Sequence, residues 1–403
     1  MTTRQAPHPR TKPARPVEST QPILPTKPPQ RIALVLQGGG ALGAYQAGIY
    51  QALDEHNLTP DWVIGTSIGA INAALIAGND RPNRLARLRE FWQRIAHQDG
   101  FDLTRVPDEA RRLNTMLATM DSMTRGVPGF FAPRPFSLFP MGMAVDPEQA
   151  SFYDTSALLA TLGELVDLKF LNSDDRMRMT VNALKVTTGE LVSFDSAQQP
   201  IGLEHIMASG ALPPGFPPVR IDGELYWDGG LYSNTPLDTV LDDEPRVNTL
   251  CFMVDLWSAD GPEPTTLDQV QTRQKDVMFA SRSQQHIKEY LKLHNLRRTL
   301  HQLVDQLPAK VRNSDELQEV AALGCETTMH IVRLPYSGRD WHMASKDINF
   351  SRGSIEWRWE QGYQDALRAI GTQGWLQKVP DGVGVVVHEL PPHEKLRRQT
   401  VVD

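Results

Sequence analysis

Cysteine is nearly absent, with only Cys251 and Cys325 in a chain of 403 residues. Two cysteines this far apart exclude a disulfide framework and a paired-cysteine metal site, and they fit a reducing compartment such as the cytoplasm. No clustered spacing of His, Cys, Asp and Glu encodes a metal, and we expect no cofactor. A marked excess of charge is missing as well. Against 48 acidic residues stand 41 basic ones, a net charge of −7 that rules out nucleic-acid binding by the chain as a whole. Long uninterrupted apolar runs are also lacking. The stretches Ile32 to Leu53 and Trp62 to Asn79 are uncharged, but glycines and Gln37, Gln46 and Gln51 break the first, and Thr66, Ser67 and Asn72 the second, so neither is expected to span a membrane. Residues 1–30 hold eight prolines and no apolar core of the kind a secretory signal requires. No internal repeat is visible.

What is present begins with a disordered, cationic tail over 1–30, where Arg4, Arg10, Lys12, Arg15 and Lys27 face Glu18 alone. Folded sequence starts at Arg31. The run Arg31 to Leu36 predicts a buried strand, Leu42 to Leu53 a helix, Trp62 to Ile64 a second strand, and Ala70 to Ala77 a second helix. Strand, helix, strand, helix at this spacing implies α/β architecture on a mostly parallel sheet. Residues 81–176 read as a less regular cap or insertion: a helical segment from Leu85 to Ile95, a Met-rich stretch from Leu113 to Met123, and a Pro-, Gly- and Phe-rich stretch from Gly126 to Pro147. Further strands are predicted at Arg178 to Leu184, Leu191 to Phe194, Val219 to Ile221, Leu225 to Trp227 and Leu250 to Leu256. A boundary at Gly261 to Pro264 divides a body, 31–256, from a largely helical C-terminal domain, 257–380, and a tail, 381–403. Within that domain Asp268 to Leu303 and Ser354 to Ile370 read as helices and Thr328 to Leu334 as a strand.

Three elements carry chemistry. Gly38-Gly39-Gly40-Ala-Leu-Gly43 follows a strand and opens a helix. A dinucleotide would need an acid after the second strand, where this chain has Asp61 before it, and no Gly-Lys-Ser or Gly-Lys-Thr follows to hold a phosphate. Gly65-Thr-Ser67-Ile-Gly69, between strand and helix, has the form of a nucleophile elbow that lifts a serine hydroxyl clear of a sheet; its bland reading is a helix cap. Backbone N–H groups of the glycine loop would then face a developing oxyanion. For the base, six late histidines are available (His286, His294, His301, His330, His342 and His388), none with a distinguishing motif. Asp228-Gly229-Gly230 ends an apolar strand, and a carboxylate there can take the serine proton directly if it lies within about 3 Å. Alone, it would read as a hairpin turn.

Together, and in this order, these elements resemble the patatin-like phospholipase family. Ala208-Ser-Gly-Ala-Leu-Pro-Pro-Gly-Phe-Pro-Pro218 is similar to the family's proline-rich segment before the acid. The resemblance covers roughly 31–256 and implies a three-layer α/β/α fold, a catalytic Ser67–Asp228 dyad, an oxyanion hole from Gly38, Gly39 and Gly40, and supporting roles for Gly43, Gly65, Gly69, Gly229 and Gly230. It implies an enzyme that cleaves fatty-acyl esters through an acyl-enzyme, with an acyl lipid or another ester as substrate. A thioesterase, a polyester esterase and a non-catalytic interaction protein on the same scaffold stand as alternatives. Residues Asp268 to Val379 resemble a domain of unknown function that follows some bacterial patatin-like domains. One departure is Leu42, where many family members carry a basic residue.

Two weaker features bear on peripheral membrane contact. From Arg273 to Arg298 basic residues accompany an apolar stripe that includes Ile287, Leu291 and Leu296, read in preference as a surface helix packed on the body rather than one lying on an anionic bilayer. Phe130, Phe131, Phe136, Leu138 and Phe139 suit either a lipid-touching lid or core under a loop. Oligomeric state is not encoded legibly.

Overall fold

The structure, a computed structural model, describes residues 29–97, 108–135, 144–174, 176–312, 314–336, 338, 344–372, 374–376, 379–380 and 382–390. The cationic tail therefore lies outside the described residues up to 28.

The chain runs β1 (Arg31–Leu36), α1 (Ala44–Glu55), β2 (Trp62–Gly65), α2 (Ile68–Ala77), α3 (Arg81–Arg94), α4 (Asp108–Arg125), β3 (Ala132–Pro133), β4 (Tyr153–Asp154), α5 (Ser156–Leu165) and α6 (Leu168–Leu171). It continues through β5 (Arg178–Lys185), β6 (Leu191–Asp195), α7 (Leu203–Ser209), β7 (Val219–Ile221), β8 (Glu224–Asp228), α8 (Leu237–Leu241) and β9 (Thr249–Asp255). The remainder is α9 (Leu267–Asp305), α10 (Ala309–Arg312), α11 (Asp315–Ala322), β10 (Met329–Pro335), α12 (Arg352–Thr372) and β11 (Val385–Glu389).

One sheet dominates, in the order β11-β10-β9-β1-β2-β5-β8-β7, with β6 also on β5. From β11 to β5 every pairing is parallel, and β6, β8 and β7 are antiparallel. Its central strands are buried on both faces because α/β crossovers cover them, as the continuous apolar run of β1 requires. Leu34 and Leu36 pack toward α1, α2 and α12, whereas Ala33 and Val35 pack toward Leu237 and Leu241 of α8 and Ile287 of α9. The result is the three-layer α/β/α arrangement expected from the sequence.

The region expected to be irregular is more helical than its composition suggested. Leu113 to Met123 lies within the 18-residue α4, a stretch without proline or glycine whose Leu, Met and Ala are good helix formers. The C-terminal extension is largely helical and also supplies two strands: β10 pairs along the whole of β9, and β11 lies outside β10. Residues 385–389, assigned by the sequence to a tail, are thus the sheet's edge strand, formed by the β-branched run Val385-Val-Val387. Helix α12 lies directly on α1. A Cβ on Gly48 would come within 1.9 Å of the Trp359 carbonyl oxygen, and one on Gly362 within 2.0 Å of that of Tyr45, so both glycines are needed for this approach. Tyr45 Oη donates to Asp365 (2.8 Å) and Trp359 Nε1 to Gln51 (2.8 Å) across the same contact.

Candidate active site

Ser67 and Asp228 come together through β5. Residues Thr180 to Leu184 pair with β6 on one edge, so β2 and β8 share the other. Gly65, the last residue of β2, faces Val181, and Asp228, the last residue of β8, faces Ala183. Two residues of strand rise, about 7 Å, separate the two rows. At the end of β2 the chain turns sharply into α2 through Ser67, whose φ of 58° and ψ of −125° no ordinary helix cap adopts. Gly65 and Gly69 permit this turn: a Cβ on Gly65 would lie 2.2 Å from the Gly69 carbonyl oxygen, and one on Gly69 2.2 Å from that of Leu36. The Ser67 N–H is held by Ser209, through its carbonyl and hydroxyl oxygens, both at 3.1 Å.

The Ser67 and Asp228 side chains line the same cavity, and Ser67 is close enough to favour the ionised Asp228 carboxylate. Asp228 is 2% exposed, and burial pushes its carboxyl up to about 7, even though the neighbouring Ser67 side chain and a bond from Gly230 N–H (2.7 Å) favour the ionised form. Gly229 and Gly230 form a single 3-10 turn after the acid. Gly229 lies so close to β5 that a Cβ would sit 2.5 Å from the Asn182 carbonyl oxygen.

The glycine loop emerges from β1 beside this pair. Gly38, Gly39 and Gly40 line one cavity with Ser67 and Asp228, while Gly43 sits at the start of α1 against Ile68. The Gly38 carbonyl accepts from Asn234 Nδ2 (3.0 Å) and Trp257 Nε1 (2.8 Å), which fixes the peptide to Gly39 and turns the Gly39 N–H away from those two side chains. Among the described residues neither Gly39 N–H nor Gly40 N–H meets an acceptor. Gly40 has φ 54°, and a Cβ there would lie 2.3 Å from the Asp347 carbonyl oxygen. Just before the loop, buried Gln37 accepts from the N–H groups of Leu256 (2.5 Å) and Trp257 (3.0 Å) and donates to Thr235 (2.7 Å), joining the ends of β1 and β9.

The backing of the loop comes from the C-terminal extension. The turn Lys346–Ile348 is tied to α9 by Lys275 to Asp347 (2.8 Å) and Lys346 to Asp276 (2.8 Å), and Lys346 Nζ lies 4.8 Å from the ring centre of Trp257. Arg358 of α12, fully buried, donates to the carbonyls of Asn349 (2.9 Å) and Lys346 (2.8 Å) and so fixes that turn from behind. Gln37, Asn234, Trp257 and Arg358 carried no motif. Only Gln37, a polar residue between a buried strand and the glycines, offered a signal. Leu42 is fully buried next to the loop rather than presented to the cavity.

The cavity has a volume of about 380 Å³. An aromatic cluster forms part of its wall: Phe131 stands 4.9 Å from Tyr153 and 5.2 Å from Phe216, and Phe130 stands 5.7 Å from Phe350, centre to centre. Phe130 and Phe131 are buried lining residues, whereas Phe136, Leu138 and Phe139 lie outside the described residues. No described histidine lines it. His294 is buried near Arg31 and Arg246, and His330 and His388 pair with each other at 3.0 Å on β10 and β11. His342 lies outside the described residues, as does the side chain of His286. On α9, Ile287 is buried while Leu296 is 64% exposed, so part of the basic helix packs on the body and part faces outward. Among the described residues no helix is long and apolar enough to cross a membrane, and no group of three or more His, Cys, Asp or Glu is placed to hold a metal ion.

The chain is 29% identical over 213 residues to an uncharacterized NTE family protein of Mycobacterium tuberculosis, covering 53% of this chain and 28% of that protein. To a lysophospholipase of Candida glabrata it is 27% identical over 238 residues, 58% of this chain and 11% of the relative. The match therefore spans a small part of those relatives' length. Among solved structures, VipD from Legionella pneumophila aligns with a TM-score of 0.38 at 17% identity, covering 85% of this chain and 67% of the other. A family model described as Patatin phospholipase matches residues 277–382. A second, described as Patatin-like phospholipase, matches residues 34–241, just over half of the chain, which belongs to the patatin-like phospholipase family.

Proposed function

We propose that the chain is a serine hydrolase of fatty-acyl esters, with Ser67 as nucleophile and Asp228 as its base. The observation that carries this reading is that Ser67, held at φ 58°, shares one cavity with a buried carboxylate raised to about 7. Such a base is half ionised near neutral pH and accepts a proton readily. Ser67 Oγ attacks the ester carbonyl while its proton passes to Asp228. Gly39 and Gly40 N–H groups receive the oxyanion, each such donor lowering the barrier by roughly 2.7–4 kcal/mol. Collapse breaks the ester bond, and the leaving alkoxide takes the proton from Asp228. Water then attacks the acyl-enzyme, giving its proton to Asp228 and, on collapse, returning Ser67 and the free acid.

An apolar cavity walled by Phe130, Phe131, Phe216 and Phe350 suits an acyl chain. The test is hydrolysis of p-nitrophenyl esters of graded chain length, of lysophosphatidylcholine and of acyl thioesters by the wild type, Ser67→Ala and Asp228→Asn. Oxygen-ester turnover that vanishes in both variants supports the reading. Thioester turnover without ester turnover would shift the substrate class, and undiminished activity in Ser67→Ala would end it.

A further inference from the structure

Helix α4 is docked the wrong way round for an ordinary surface helix. Its inward face is small and polar: Thr115, Ala118 and Ser122 are buried, Thr115 accepts from Asn349 Nδ2 (3.1 Å), and Ser122 contacts His97 Nε2 (3.1 Å). Outward stand Leu113, Met116, Leu117, Met120 and Met123, each between 53% and 59% exposed. At 100° per residue these five fall within one stripe, and burial normally takes such side chains rather than Thr and Ser. An exposed, contiguous apolar stripe of this kind marks a contact surface.

Its place identifies the contact. Met123 belongs both to the stripe and to the lining of the Ser67 cavity, and Tyr153 Oη, from the cavity's aromatic wall, donates to the Met123 carbonyl (3.0 Å). An acyl chain held in an apolar phase against α4 would pass over Met123 to Ser67 without entering water. Three of the five side chains are methionine, whose unbranched, adaptable form suits a fluid rather than a fixed partner. Among the described side chains of α4 the charged ones, Asp121 and Arg125, pair with each other at 3.3 Å, and the five residues of the stripe itself are all uncharged. We propose that the Leu113–Met123 stripe of α4 seats the enzyme on an uncharged or zwitterionic acyl-lipid surface and delivers substrate across Met123. This rests on the acyl-ester reading of the cavity.

The test uses the full chain carrying Ser67→Ala, so that lipid is not consumed, and co-sedimentation with pure phosphatidylcholine vesicles at low and high salt. Binding that is insensitive to salt, and that falls on the order of tenfold when Leu113→Gln, Leu117→Gln and Met120→Gln are combined, is the expected result. With Ser67 restored, the same triple variant should hydrolyse a soluble short-chain ester at the wild-type rate, showing that its fold is intact; if it does not, the single variants Leu117→Gln and Met120→Gln are read in its place. Equal vesicle binding by parent and variant overturns the proposal. So does binding that requires anionic lipid and disappears in high salt, which would assign it to the basic helix α9, or a parent dimer that the variant dissolves into monomers. If vesicle binding depends on the stripe while no ester is cleaved by any form, the surface stands and the hydrolase reading falls.

Discussion

Ser67 and Asp228 meet in one cavity at the point where β8 takes over from β2 along one edge of β5. The parallel strand ends at Gly65, two residues before Ser67, and the antiparallel strand ends at Asp228, two positions further along β5. A single pair of register choices thus brings residues 161 positions apart in sequence to one cavity.

With Asp228 raised to about 7 by burial, kcat/KM for a soluble ester should climb about tenfold per pH unit below that value and level off above it, since only the ionised form accepts the proton. The measurement is a pH–rate profile from pH 5 to 9, at about 25 °C. A profile flat through this range would remove Asp228 from the role of base.

The same group affects stability, with the opposite trend. An unfolded Asp titrates near 3.9, so between about pH 4 and 7 the folded chain holds the extra proton and stability falls as pH rises. Asp228→Asn removes this cost. It should melt later than the wild type at pH 8, by up to about 4 kcal/mol in stability, and nearly equally at pH 4. Thermal melts of the two proteins at both values check it.

Trp257 Nε1 and Asn234 share the task of holding the Gly38 carbonyl. Trp257→Phe removes one of those bonds and keeps the packing against Phe279. We expect kcat to drop about fivefold to tenfold, in line with one lost hydrogen bond, with KM nearly unchanged. A rise in KM alone would place Trp257 in substrate binding.

Arg358 acts at one remove, through the turn that backs Gly40. Arg358→Met leaves the carbonyls of Lys346 and Asn349 without that donor and should cost about 2–4 kcal/mol of stability by urea unfolding. A variant as stable as the wild type would show that the turn holds without it.

The sequence made the strand–glycine–helix units legible because each is local: an apolar run, a glycine turn and a 3.6-residue period lie within a few tens of residues. The parallel sheet was therefore legible, and so were the glycine turns at which it places Ser67, Asp228 and the glycine loop around one cavity. Asn234 and Trp257 were not, since they act only where distant strands meet. Nor was the partnership between Arg358 and Gly40, which depends on α12 lying across α1 through Gly48 and Gly362. The boundary drawn near 261 separates segments that share one sheet, because β10 finds its partner in β9 rather than in its own neighbourhood. A chain ending at residue 260 would expose the β9 edge and the α1 face together, and we expect it to be insoluble or to unfold without a cooperative transition.

The nucleophile is the point on which the rest depends. The wild type and Ser67→Ala should be treated with a fluorophosphonate probe at pH 8, where Asp228 is ionised, and the adduct located by peptide mass spectrometry. A single adduct on the peptide bearing Ser67, absent from Ser67→Ala and retarded at pH 5, is the expected result. An adduct on another serine, or labelling that survives Ser67→Ala, would contradict the assignment of the active site.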